Sequence, residues 1–228
     1  MKINGTKNKE LFYDSIAEDW EEKIHKPETN KRLRVVYKTL FDEIPLKGKK
    51  FLDVGCGLGY FAFRAGKLGA EVHGIDIGKR LINISSKRYP RGKFVVAPAQ
   101  KLPYKDNSFD LVLCTEVIEH VNKQNKVLSE LFRVLKKGGY LVLTTPNKLF
   151  KPLYTLLCSI GVRPYHGNEY WYYPWEIRRA LERRGKVTKK YYFNFILPNP
   201  FFDQFEKFSF LKYLMIHQGY LVTKEKNN

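Results

Sequence analysis

Two constellations in this chain have residue types and spacing that chemistry could use. The first is Gly55, Gly57 and Gly59, which follow the apolar run Phe51-Leu52-Asp53-Val54, together with the acid Asp76 further on. Glycines at this spacing let a strand turn sharply and let backbone come close to a ligand where a Cβ would collide. The helix that begins at Tyr60 then turns its N-terminal N–H groups toward the same place. An acid about 20 residues beyond such a turn, at the end of the next strand, can accept both hydroxyls of a ribose. The pair points to a nucleoside-type ligand. The plainer alternatives are a tight strand–helix turn with no ligand and an Asp76 that only caps the next helix. The second constellation is Thr115-Glu116-Val117-Ile118-Glu119-His120-Val121, which gathers two carboxylates and an imidazole. A histidine titrates near neutrality, so His120 is a candidate to take a proton from a hydroxyl. Its plainer role is to orient a loop with Glu119.

These residues need elements to hold them. Short apolar runs predict strands near 51–54, 71–75, 93–96, 109–114 and 139–145, with helical periodicity between them. Such alternation predicts a doubly wound α/β sheet, with ligands beyond the carboxyl ends of the strands. The spacing of Val127, Leu128, Leu131, Phe132 and Leu135 predicts a helix over 122–135, stopped by Lys136-Lys137-Gly138-Gly139. Residues 7–44 read as helical, with Leu11, Phe12, Ile16 and Trp20 on one face and Leu33, Val36, Tyr37, Leu40 and Phe41 on a second, broken at Pro27. Pro174 opens a basic helix, and strands follow at 189–196 and 219–223. The organisation expected is one structural domain in three parts: a helical cap at 1–48, a ligand-binding core at 49–147, and the remainder of the sheet at 148–228.

Composition narrows the partners. With 228 residues and 43% hydrophobic content, one sizeable core is expected. No apolar run reaches membrane-spanning length, and the N-terminus has no signal-peptide core. Cys56, Cys114 and Cys158 are odd in number and widely spaced, which fits a reduced, cytoplasmic protein without a disulfide frame. A formal charge of +18 invites either a polyanion or an anionic membrane surface. Residues 148–228 carry 19 of the 34 aromatics and 14 Lys+Arg against 6 Asp+Glu, so the contacts peculiar to this chain are expected there. Within them the nearly uncharged run 149–160 is suited to wall an apolar pocket or to lie at a membrane interface.

An acid followed by G-x-G-x-G, rather than G-x-G-x-x-G with Tyr60 in the third glycine's place, is similar to motif I of the class I S-adenosylmethionine (SAM) methyltransferases. With Asp76, Pro98-Ala99-Gln100, the run Asp106-Asn107-Ser108-Phe109-Asp110 and the strand ending at Cys114, residues 10–147 resemble the methyltransferase group that includes the O-methyltransferases of ubiquinone biosynthesis. The resemblance implies a seven-stranded Rossmann-like sheet, mostly parallel with an antiparallel last strand, under a helical N-terminal cap. It implies SAM as cofactor, with S-adenosylhomocysteine (SAH) as product. The cofactor would be held by Asp53, Gly55, Cys56, Gly57, Gly59, Asp76, Ile77, Ala99, Gln100, Cys114 and Thr115, with Tyr13 and Arg34 as further candidates from the cap. Pro98 stands where relatives often carry an acid toward the adenine. Glu116, Glu119 and His120 have the spacing of a divalent-metal site in the quinone O-methyltransferases, although no metal is assigned to this chain.

The expected function is therefore methyl transfer to a small-molecule or lipid-like acceptor, with oxygen as the attacking atom and peripheral membrane contact as an added expectation. Two other readings stand beside it. An RNA methyltransferase would use the charge and interleaved aromatics, but Cys114-Thr115-Glu116-Val117 replaces the N-P-P-Y-like motif of amino-group enzymes, and Asn199-Pro200-Phe201-Phe202 comes too late in the chain. A SAM-fold binding module without catalysis is the other.

Overall fold

The computed structural model describes residues 26–159, 169–195 and 215–225. Helix α1 (Lys26–Val35) continues as a π-helical turn (Val36–Leu40) and leads to β1 (Lys50–Val54). There follow α2 (Tyr60–Lys67), β2 (Glu71–Asp76), α3 (Lys79–Arg88), β3 (Lys93–Val96), β4 (Phe109–Thr115), α4 (Gln124–Val134) and β5 (Leu135–Pro146). The last elements are α5 (Lys151–Ser159), α6 (Pro174–Glu182), β6 (Lys186–Phe195) and β7 (Met215–Thr223).

The seven strands form one sheet in the order β3-β2-β1-β4-β5-β7-β6. β1 to β5 pair in parallel, and β7 runs antiparallel between β5 and β6. The order reverses between β1 and β4, and the crevice beyond their carboxyl ends is where an open α/β sheet takes its ligand. Central strands are buried on both faces, which is why they read as unbroken apolar runs. Leu52, Val54, Val112 and Leu143 pack on one side against Val127, Leu131, Ile177 and Leu181. Phe51, Leu111, Leu113 and Val142 pack on the other against Val36, Leu40, Ala62 and Ala65.

One expectation is corrected. Lys136-Lys137-Gly138-Gly139 does not stop a helix; α4 ends at Val134 and β5 begins at Leu135. Leu135 already pairs with Phe109, the register then shifts before Leu111, and Gly138 takes φ +75° to absorb the irregularity. Lys224 ties the bend down: Gly138 N–H donates to its carbonyl, and its own N–H donates to Gly139 O. Strands β6 and β7 also begin earlier than expected, at Lys186 and Met215.

Candidate functional site

The glycine turn closes over the end of β2. Gly55 and Cys56 N–H both donate to Ile75 O, at 2.8 and 2.9 Å. Gly55, Gly57 and Gly59 have φ of +74°, +51° and +77°, conformations that L side chains rarely adopt. At Gly55 a Cβ would also stand 2.3 Å from Val117 Cγ2, so the β4 exit lies directly against the turn. At Gly57 a Cβ would meet nothing within 4 Å, which leaves an open cradle. Beside it the Asp76 carboxylate accepts from Gly57 N–H at 2.9 Å and from Gly78 N–H at 3.0 Å. Each oxygen of a carboxylate has two acceptor positions, so both retain capacity for ribose hydroxyls.

Asp53 is fully buried beneath this turn, and neither of its oxygens makes a hydrogen bond in ordinary geometry among the described residues. Burial pushes its carboxyl up to about 7, against a smaller opposing pull from the Ala62 amide. An orphaned buried carboxyl and an open glycine cradle together fit a cofactor that brings positive charge to this end of the sheet. Cys56 and Cys114 are buried, and burial pushes both thiols up, so they serve as packing rather than as nucleophiles.

The other expected cofactor residues gather at the same edge. Ile77 follows Asp76, and Ala97 N–H donates to Asp76 O, which brings Ala99 and Gln100 beyond the end of β3 alongside. Cys114 pairs with Val54 across the switch point, and Thr115 follows it at the end of β4. Arg34 is exposed on α1, and Tyr13 lies outside the described residues.

Beyond β4 the polar network is wider than the sequence reading allowed. Glu116 has φ +53° and is held by Thr144 Oγ1, which donates to its Oε1 at 2.7 Å, and by His217 Nε2 at 3.4 Å from Oε2. His217 comes from β7, stacks on Phe193 at 5.3 Å, and has Asn194 Nδ2 at 3.0 Å from Nδ1. Asn194 has φ +61°, so two non-glycine residues in left-handed conformation flank one imidazole. Such strain persists only where its surroundings enforce it, and it gathers at functional sites. His120 lies 3.9 Å from Glu119 Oε1 and 3.7 Å from Glu169 Oε1. Glu119 is buried, and burial followed by the neighbouring Glu116 charge pushes its carboxyl well up.

Glu116, Glu119 and His120 do not form a metal-holding set; among the described residues no group of three or more His, Cys, Asp or Glu does. Glu116 is engaged by Thr144 and His217, and Thr145 Oγ1 donates to Glu119 Oε2 at 3.3 Å. Thr144, Asn194 and His217 were missed by sequence reasoning. A usable signal was His217-Gln218, two polar residues inside an apolar strand that has to lie between others.

An open sheet with this strand order, a glycine turn at the switch point and an acid closing the second strand defines a class I nucleoside-cofactor domain. The methyltransferase domain family matches residues 52–143. The ubiquinone biosynthesis O-methyltransferase of Pelagibacter ubique is 32% identical over 65% of this chain and 69% of its own length. That of Thiobacillus denitrificans is 31% identical over 64% and 68%. A probable SAM-dependent methyltransferase of Mycolicibacterium smegmatis is 36% identical over 54% of this chain, and the match takes in only 47% of that relative's length. The magnesium protoporphyrin IX methyltransferase of Synechocystis PCC 6803, solved with bound SAH, superposes over 97% of this chain and 100% of its own with a TM-score of 0.74. At 16% identity that likeness shows the fold alone. The chain belongs to the class I SAM-dependent methyltransferase family, and SAM is the cofactor of that family.

Proposed function

We propose that the protein transfers the methyl group of SAM to an oxygen of a small-molecule, lipid-like acceptor held beyond the ends of β4, β5 and β7. The observation that carries this reading is the acid–imidazole network of Glu116, Glu119, His120 and His217, set against the glycine turn through the contact of Val117 with Gly55. SAM supplies an electrophilic methyl group on a sulfonium. The chain's own tasks are then to align a nucleophile, exclude water and accept a hydroxyl proton. His120, partly exposed between Glu119 and Glu169, is the group we assign to the proton. Glu116, fixed by Thr144 and His217, orients the acceptor hydroxyl. The residues assigned to SAM are Asp53, the glycine turn, Asp76, Ile77, Ala99, Gln100, Cys114 and Thr115.

The lipid-like character of the acceptor is supported by the surface next to this site. Tyr170 N–H donates to Glu119 O, and the segment it opens carries Tyr170, at 47% exposed, and Trp175, at 51%. Lys148 lies over the Tyr170 and Tyr173 rings, and Leu156 of α5 is 56% exposed. Exposed aromatics among cations suit peripheral contact with an anionic membrane surface, which would present such an acceptor. No helix among the described residues is long and apolar enough to cross a membrane.

The test is methyl transfer from isotopically labelled SAM to panels of quinols and phenols, amines, and RNA, each with and without anionic vesicles. Methylated quinols or phenols, enhanced by vesicles, are expected. Labelled RNA or amines alone would replace this reading, and SAH binding with no product in any panel would make the protein a binding module.

A further inference from the structure

The glycine turn is held from behind by one stripe of α3. Leu81, Ser85 and Arg88 stand at i, i+4 and i+7 on that helix and so share a face. Leu81 packs against Leu58. Ser85, fully buried, donates from Oγ to Gly57 O at 2.6 Å. Arg88 donates to Leu58 O and places its guanidinium 4.0 Å from the centre of the Tyr60 ring. The approach is close: a Cβ on Gly59 would lie 3.0 Å from Ser85 Cβ and Oγ. Two successive carbonyls of the turn are thus drawn toward α3 by side chains of that helix.

A trans peptide is planar, with its C=O and N–H pointing in opposite directions. When Ser85 draws Gly57 O toward α3, the N–H of the same peptide, that of Leu58, turns the other way. Beside the same residue the space is open, since a Cβ on Gly57 would meet nothing within 4 Å. The adjoining peptide is set separately, because Gly57 N–H points to Asp76. The turn therefore has two settings. Asp76 governs the peptide before Gly57, beside the ribose acid, and Ser85 governs the peptide after it.

We infer that Ser85 is a positioning residue for the cofactor, holding the Gly57–Leu58 peptide so that Leu58 N–H donates to the carboxylate of the methionine part of SAM and SAH. The inference rests on the cofactor site proposed above. It separates recognition of the nucleoside, through Asp76, from recognition of the amino-acid tail, through a serine that does not touch the ligand.

Calorimetry with two ligands tests it: SAH, which has the amino-acid tail, and 5′-methylthioadenosine, which has the same nucleoside without it. Ser85→Ala is expected to weaken SAH about tenfold, the scale of one hydrogen bond to a charged group, and to leave 5′-methylthioadenosine within about twofold. Ser85→Cys, a slightly larger side chain with a weaker donor, should fall between wild type and Ser85→Ala even if the alanine variant folds poorly. Ser86→Ala is the matched control, since Ser86 Oγ donates to Ile82 O within α3, and it should match wild type for both ligands. Equal loss of both ligands, or loss of neither, would overturn the inference while leaving the cofactor site standing. No SAH binding by the wild-type protein would instead overturn the cofactor site itself.

Discussion

The two sides of the ligand crevice are built on opposite plans. On the β1–β2 side, recognition is assembled from backbone: three glycines in left-handed conformation, amides directed to Ile75 O and Asp76, and carbonyls drawn back by α3. All of it comes from one stretch of chain, between Asp53 and Arg88. On the β4–β5–β7 side, a polar network is assembled from side chains carried by distant segments: Glu116, Thr144, Asn194 and His217. Under the function proposed above, the first side meets a cofactor that does not vary, for which a rigid turn is enough. The second side would then meet the acceptor, and exchangeable side chains can be altered there without touching the turn.

The carboxyl groups of the two sides offer the sharpest way to break this contrast. Asp53 sits at about 7 instead of 3.8 because it is buried. The folded chain therefore keeps its proton after the unfolded chain has lost it. The stability it contributes is complete below about pH 4 and is lost as the pH rises toward 7. At about 1.36 kcal/mol per pH unit, the loss reaches about 4 kcal/mol. Asp53→Asn should remove this slope. In urea unfolding without cofactor, the variant should be the more stable at pH 8 and match wild type near pH 4. A constant difference across that range would mean that Asp53 is not held protonated.

Asp76→Ala should have the next largest effect. It removes the partner of two backbone amides and of the ribose, and SAH binding should weaken about 100-fold by calorimetry. Glu116→Gln should act on the other side alone, lowering kcat about tenfold or more at saturating SAM while the SAH dissociation constant stays unchanged. If Glu116→Gln weakened SAH as severely as Asp76→Ala, the two sides would be one site and the contrast would fail.

The same contrast explains what could be read from sequence. Gly55, Gly57, Gly59 and Asp76 were legible because backbone geometry restricts these positions to few residue types, and because their spacing follows from one strand, one turn and the next strand. His217 and Asn194 were not, because nothing local says which residues of a late strand will face the exit of β4; only the sheet order does. Ser85 was hidden in a helical pattern in which a serine reads as unremarkable polarity. Lys136-Lys137-Gly138-Gly139 misled because cations followed by glycine serve a helix stop and an irregular strand start equally well, and the pairing of Leu135 with Phe109 decided between them. The doubly wound sheet expected from alternating strands and helices is observed, as is the reversed last strand that the family resemblance implied.

The place of β7 has a consequence for synthesis. Among the described residues it is the last strand to be made, yet it lies between β5 and β6. While a ribosome is still translating, the cofactor turn, α3 and β1 to β5 already exist as chain that can collapse together, but β5 keeps an open edge and Glu116 has no imidazole beside it. Nascent protein can acquire the glycine turn and Asp76 well before it acquires His217. Until Met215–Thr223 emerges and inserts, that uncapped edge is the stretch on which a chaperone or a misfolded neighbour would act.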